Sequence, residues 1–108
     1  MELNIEEIIG GIGDILKDSL SEDLPKIKEY SEKILNNEKS ALQSIAKLRL
    51  DNAITDQELK EELNRRKIVV ETEVLTGVVM SKAAAQKAAN AIIDFLYKTL
   101  ETALKAAL

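Results

Sequence analysis

The 108-residue chain contains no cysteine, no histidine and no tryptophan, and has one proline, four glycines and only three aromatic side chains, Tyr30, Phe95 and Tyr97. Without cysteine there is no disulfide framework, no thiolate metal site and no thiol nucleophile. Without histidine the commonest general base and the commonest imidazole ligand are missing. No G-x-S-x-G or similar nucleophile motif occurs, and three aromatics are few to wall a substrate pocket. These absences lead us to expect a non-enzymatic protein with no cofactor, no metal site and no catalytic residues. Acidic pairs are present, at Glu29 and Glu32 and again at Glu58, Glu61 and Glu62. A di-iron bundle would need an E-x-x-H partner for such glutamates. They read instead as solvated helix faces that support lysines one turn away.

No stretch of 18 apolar residues is available to span a bilayer. The N-terminus carries Glu2, Glu6 and Glu7 where a secretory signal would be basic, so a cytoplasmic location is expected. The net charge of −4 argues against a nucleic-acid partner, which would require a basic face. The single basic cluster, Arg65, Arg66 and Lys67, follows Glu61 and Glu62 by one turn and is expected to pair within its own helix. Charge is unevenly spread. Residues 1–81 carry 11 basic against 17 acidic side chains, whereas residues 82–108 carry four lysines against Asp94 and Glu101.

Forty-five per cent of the residues are hydrophobic, enough for one domain with a real core. With so few aromatics, that core must be built from Ile, Leu, Val and Ala. An aliphatic-rich, aromatic-poor composition with one proline is typical of helical bundles. The expected fold is all-α: a single domain over 1–108, an antiparallel helical hairpin or bundle of three to four helices.

Residues 1–20 are expected to hold an amphipathic helix from about residue 4 to 19. At 100° per residue, Ile5, Ile8, Ile9, Ile12, Ile15 and Leu16 fall on one stripe, opposite Glu6, Glu7, Asp14, Lys17 and Asp18. Three of the four glycines interrupt this segment, in "IIGGIGDIL". Gly10, Gly11 and Gly13 match neither G-x-G-x-x-G nor a P-loop, and no strand precedes them. Gly10 falls on the polar face, Gly11 and Gly13 on the flanks. Each weakens the helix by roughly 1 kcal/mol relative to alanine, so it should form mainly through packing. Ile5, Ile8, Ile9, Ile12 and Leu16 are therefore the candidate interaction face, for a partner groove or for a membrane surface.

A second helix is expected over 21–53, with Ser21 or Asp23 as N-cap and Pro25 in the first turn. Its seam runs Leu20, Leu24, Ile27, Ser31, Ile34, Glu38, Ala41, Ile45, Leu48, a heptad spacing interrupted by Ser31 and Glu38. A buried acid at Glu38 must be paired, lie at an open end, or set register. The stretch "RLDNAITDQEL" then gives a tight helix-to-helix turn. Asn52 suits a left-handed end residue, Thr55 and Glu58 form a capping box, and Ile54 and Leu59 a hydrophobic staple.

Residues 55–108 are expected to be a third helix, either continuous or broken near Gly77 with Ser81 as a new N-cap. The alternation of Val70, Thr72, Val74 and Thr76 also fits a strand, but no second strand exists to pair with it. From residue 84 onward one face carries Ala84, Ala88, Ala91, Ile92, Phe95, Thr99 and Ala103, with Leu96, Leu100 and Leu104 beside it. An unbroken helix over 56–106 would be about 75 Å long, too long for one small chain to cover. The chain therefore either folds back near Gly77 or pairs its long helices between copies. The functional expectation is an interaction or assembly protein that self-associates, with a dimer favoured and a protein partner as a further option. A peripheral membrane-surface protein, acting through its N- or C-terminal helix, is the alternative.

Overall fold

The computed structural model describes residues 3–19, 24–77 and 81–107. It contains five helices: α1 (Ile5–Ser19), α2 (Leu24–Leu50), α3 (Asp56–Arg65), α4 (Lys67–Gly77) and α5 (Lys82–Ala107). The expected N-cap at Ser21 or Asp23 and the seam start at Leu20 lie outside the described residues.

Among the described residues, the starts of α1, α3 and α5 are each capped by a side chain. Asn4 Oδ1 accepts the Glu7 N–H at 3.2 Å at the head of α1. The Ser81 hydroxyl accepts the Ala84 N–H at 3.1 Å at the head of α5. Thr55 and Glu58 form the reciprocal capping box, at 3.1 and 3.0 Å. The end of α2 is closed by Asn52, whose φ of 59° puts it in the left-handed region. The Ala53 N–H reaches back to Leu48 O, and the Asn52 N–H to Arg49 O, the paired bonds of a Schellman ending. Arg49 ties this turn to α3 through Asp56 at 2.6 Å.

The helices form a four-walled bundle in which α3 and α4 share one wall. α1 lies between α2 and α5, and the α3–α4 wall closes the other side against the same two helices. All five contribute to one aliphatic core, whose fully enclosed members include Ile8, Ile12, Leu16, Leu35, Leu63, Val70, Val74, Ile92 and Ile93. The molecule measures 42 × 24 × 18 Å.

The long helix envisaged over 55–108 is not continuous. It is divided into three, with one interruption at Arg66 and another after Gly77. α5 packs back along α4, so the apolar surface that a rod would have left bare is covered within the chain. The strand alternative for residues 70–76 gives way to helix. Val70 and Val74, four apart, both enter the core. The Thr72 and Thr76 hydroxyls donate to the carbonyls of Ile68 and Thr72, at 2.9 and 2.7 Å, the back-bonding by which a threonine satisfies its hydroxyl within a helix. The buried stripe of α5 is also rotated from the expected face. Ala85, Ala88, Ala89, Ile92, Ile93, Leu96, Leu100 and Leu104 are buried, while Ala84, Ala91, Phe95, Thr99 and Ala103 form its half-buried edge. Walls on more than one side of α5 shift its centre of burial away from where a single-partner pattern puts it.

Candidate interaction surface

The N-terminal stripe meets this chain's own core. Ile8, Ile12 and Leu16 are at most 1% exposed, and Ile5 and Ile9 are half-buried against them. At about 1.5–3 kcal/mol for each fully buried aliphatic side chain, these three outweigh the helix-propensity loss of three glycines, about 3 kcal/mol in total.

The glycines also differ from one another. A Cβ on Gly10 would meet nothing within 4 Å. A Cβ on Gly11 would sit 2.0 Å from Phe95 Cζ, and one on Gly13 would sit 3.4 Å from Ser31 Oγ. Gly11 thus seats the Phe95 ring of α5, and Gly13 lets α1 approach α2. The polar interruption at Ser31 is explained by the same contact: a small side chain is needed opposite Gly13. Its hydroxyl is satisfied internally, donating to Ile27 O at 2.8 Å. Read from the wheel alone, Gly11 and Gly13 were only weak points. In the structure they are points of close approach.

Glu38, the acid on the α2 seam, is enclosed and paired. Its side chain is 3% exposed, and both its oxygens accept from Arg66, one from Nε at 3.2 Å and the other from the terminal guanidinium nitrogen. Arg66 is the residue at the α3–α4 junction. It faces inward because it continues the seam Leu59, Leu63, Arg66, Val70, Val74, spaced four, three, four and four, as in a heptad pattern. The hydrogen bond that Arg66 donates to Glu38 raises the Arg66 pKa above its ordinary value, against an opposing effect of burial. A second carboxylate lies nearby. Glu73 accepts from Asn37 Nδ2 at 3.3 Å; burial, and then the charge of Glu38, push its pKa up, with Asn37 and Arg66 opposing. The basic cluster expected to pair within its own helix is therefore split: Arg65 pairs with Glu62, and Arg66 crosses to α2. Beside this cluster a cleft of about 190 Å³ separates α2 from α4, lined by Tyr30, Lys33, Ile34, Asn37, Glu73 and Thr76 among others. That is below the usual range of roughly 300–1,000 Å³ for small-molecule sites.

The surface that stands out is the outer face of α4, which the sequence reading did not single out. Ile68 is 74% exposed, and Val69 and Leu75 each 39%. At 100° per residue, these three and Thr72 and Thr76 occupy one arc of about 120°, opposite Val70 and Val74. The five arc residues carry no charge, in a chain in which 31% of residues are charged. The two threonine hydroxyls are already bound to the helix's own carbonyls, so the face is more apolar than its composition suggests. A signal was present in the sequence: "KIVVETEVLTG" is apolar on both sides, whereas a helix with one buried face should be polar on the other.

No helix among the described residues is long and apolar enough to cross a membrane. Nor does any group of three or more acidic, histidine or cysteine side chains among them form a metal-binding cluster. Fold and surface together define the class: an all-α helical bundle with an uncharged apolar patch on one wall. No family model matches the chain, and comparisons with curated proteins and with solved structures find no match.

Proposed function

We propose that this protein is a non-enzymatic helical assembly module that associates with a second copy of itself through the outer face of α4. The observation that carries the reading is Ile68, 74% exposed on an uncharged arc centred on Thr72 and completed by Val69, Leu75 and Thr76. A helix apolar on both faces is normally enclosed on both, and here the bundle encloses only one. Because the arc carries no charge, two chains of net charge −4 can join through it without desolvating an ion. Antiparallel pairing about a two-fold axis at Thr72 sets Val69 of each copy opposite Leu75 of the other, and Ile68 opposite Thr76. Such self-matching is what an isologous dimer requires.

The magnitudes point to a weak interface. The exposed parts of Ile68, Val69 and Leu75 amount to about one and a half aliphatic side chains per copy, or about 2–4 kcal/mol. The two copies together supply about twice that, and association costs at least about 4 kcal/mol, so a dissociation constant no tighter than roughly millimolar is expected. The membrane-surface alternative draws no support from α1, whose stripe is buried.

Sedimentation velocity over a wide concentration range tests the proposal. Wild-type protein should shift toward the dimer as concentration rises, and the pair Ile68→Glu, Leu75→Glu should abolish the shift. Leu48→Glu, at an exposed leucine on α2, should leave it unchanged. A wild-type protein that stays monomeric at millimolar concentration would sink the reading.

A further inference from the structure

The break between α3 and α4 has no local cause. Kinks arise at proline, at glycine or serine pairs, at π-bulges, or where a side chain disturbs the hydrogen-bond ladder. Residues 64–67 are Asn-Arg-Arg-Lys, and Arg66 itself has right-handed helical angles, φ −79° and ψ −10°. Its N–H turns back to Leu63 O at 2.9 Å, three residues away, and the ladder resumes with Val70 N–H to Arg66 O, also at 2.9 Å. The tightened turn falls on the one residue of the seam whose side chain is drawn across to α2. Left to its sequence, 56–77 would run on as one helix of about 33 Å.

The partner of that side chain is equally out of place by local rules. Glu38 occupies a seam position on α2 between Ile34 and Leu42, and its only charge-bearing hydrogen-bond partner among the described residues is Arg66. Antiparallel α2 and α3–α4 pair through the turn at Asn52 so that 38 meets 66. A slip of one heptad would set Arg66 against Ser31 or Ile45, and Glu38 against Leu59 or Glu73, leaving both charges unmatched.

We propose that Glu38 and Arg66 are a clamp that holds the helix interrupted at the α3–α4 junction and fixes the register of α2 against that wall, determining the shape of the bundle more than its stability. A buried ion pair is weak evidence of stabilisation, because desolvation offsets attraction, whereas a single polar position on a seam is a well-attested register device. The junction stands directly before α4, whose outer face is the proposed docking surface. The clamp itself does not depend on that face being a docking surface, and it is tested on the monomer at low concentration.

The test compares wild type with E38M, R66M and the double variant E38M/R66M by thermal unfolding and by amide hydrogen exchange resolved at residues 67–69. In the interrupted form these are the first three residues of α4, where a helix start leaves N–H groups without an intrahelical partner. R66M should unfold at the lowest temperature, because it strands a carboxylate that is 3% exposed. E38M should fall less, since Arg66, at 32% exposed, can turn to solvent. The double variant should recover the wild-type midpoint or exceed it, while exchange at 67–69 slows at least tenfold as the helix becomes continuous. A folded double variant that exchanges at the wild-type rate shows that apolar packing, not the ion pair, makes the interruption, and overturns the proposal. So does a double variant as unstable as R66M, since the pair would then act mainly as a stabiliser. E38Q, which keeps the shape and removes the charge, covers the case in which the double variant does not fold: slowed exchange at 67–69 is expected, and an unchanged rate overturns the clamp.

Discussion

Substituting Gly10 and Gly11 by alanine, one at a time, should have opposite effects although the two glycines are adjacent. Both changes bring the same local gain, about 1 kcal/mol of helix propensity. At Gly10 nothing opposes it, because the added methyl meets no atom within 4 Å. G10A should therefore raise stability by about 1 kcal/mol, a rise in Tm of roughly 4–8 °C for a domain of this size. At Gly11 the methyl would lie 2.0 Å from Phe95 Cζ and 2.5 Å from both Cε atoms. Carbon contacts are comfortable only at about 3.5–4 Å, so the ring or the helix must retreat by roughly 1.5 Å. Phe95 is half-buried and packs against the core, so displacing its ring gives up apolar contact. Overpacking of this kind costs about 1–3 kcal/mol. G11A should therefore come out below wild type by up to about 2 kcal/mol, and below G10A by about 1–3 kcal/mol. Urea unfolding followed by circular dichroism measures both. A Phe95→Leu change in the G11A background should recover part of the loss, giving a coupling energy in the double-mutant cycle. If G11A proves as stable as G10A, or if Phe95→Leu shows no coupling to it, then α1 and α5 do not meet through Gly11 and Phe95, and the account of α1 as an integral wall fails.

Two further substitutions probe other parts of the scheme. Asn52, at φ 59°, should tolerate glycine with little change, while Asn52→Ala should cost about 1 kcal/mol because alanine lacks the short polar side chain that eases asparagine into the left-handed region, measured as a lower urea midpoint. Glu73 has a folded pKa raised above its ordinary value by burial and by Glu38. Its ionisation therefore opposes folding once the pH rises above the ordinary glutamate range, and protonation relieves that cost as the pH falls through the folded value. Glu73→Gln should accordingly raise Tm at neutral pH, and the advantage should vanish below pH ~4; an advantage independent of pH would show that charge is not the cause.

Much of this architecture is legible in the sequence because it rests on local chemistry. The all-α class follows from aliphatic spacing and the lack of a second strand. The hairpin follows from Asn52, Thr55 and Glu58, whose capping bonds span three residues and need nothing from the rest of the chain. Ser81 as an N-cap is of the same kind. The fold-back after Gly77 was one of two options, and composition could not choose between them: burial of a long apolar face is equally served by a second copy or by the chain itself.

What the tertiary structure alone decided depends on contacts between residues far apart in the chain. Gly11 and Gly13 carry no local mark distinguishing them from Gly10; only the Phe95 ring and Ser31, brought in from α5 and α2, give them different roles. Glu38 was visible as an anomaly, but its partner was not, because Arg66 looks like one of three surface bases until the Leu59-to-Val74 seam is set against α2. The outer face of α4 emerged in the same way. A sequence reports how apolar each side of a helix is, and only the packed bundle determines which side is left facing water.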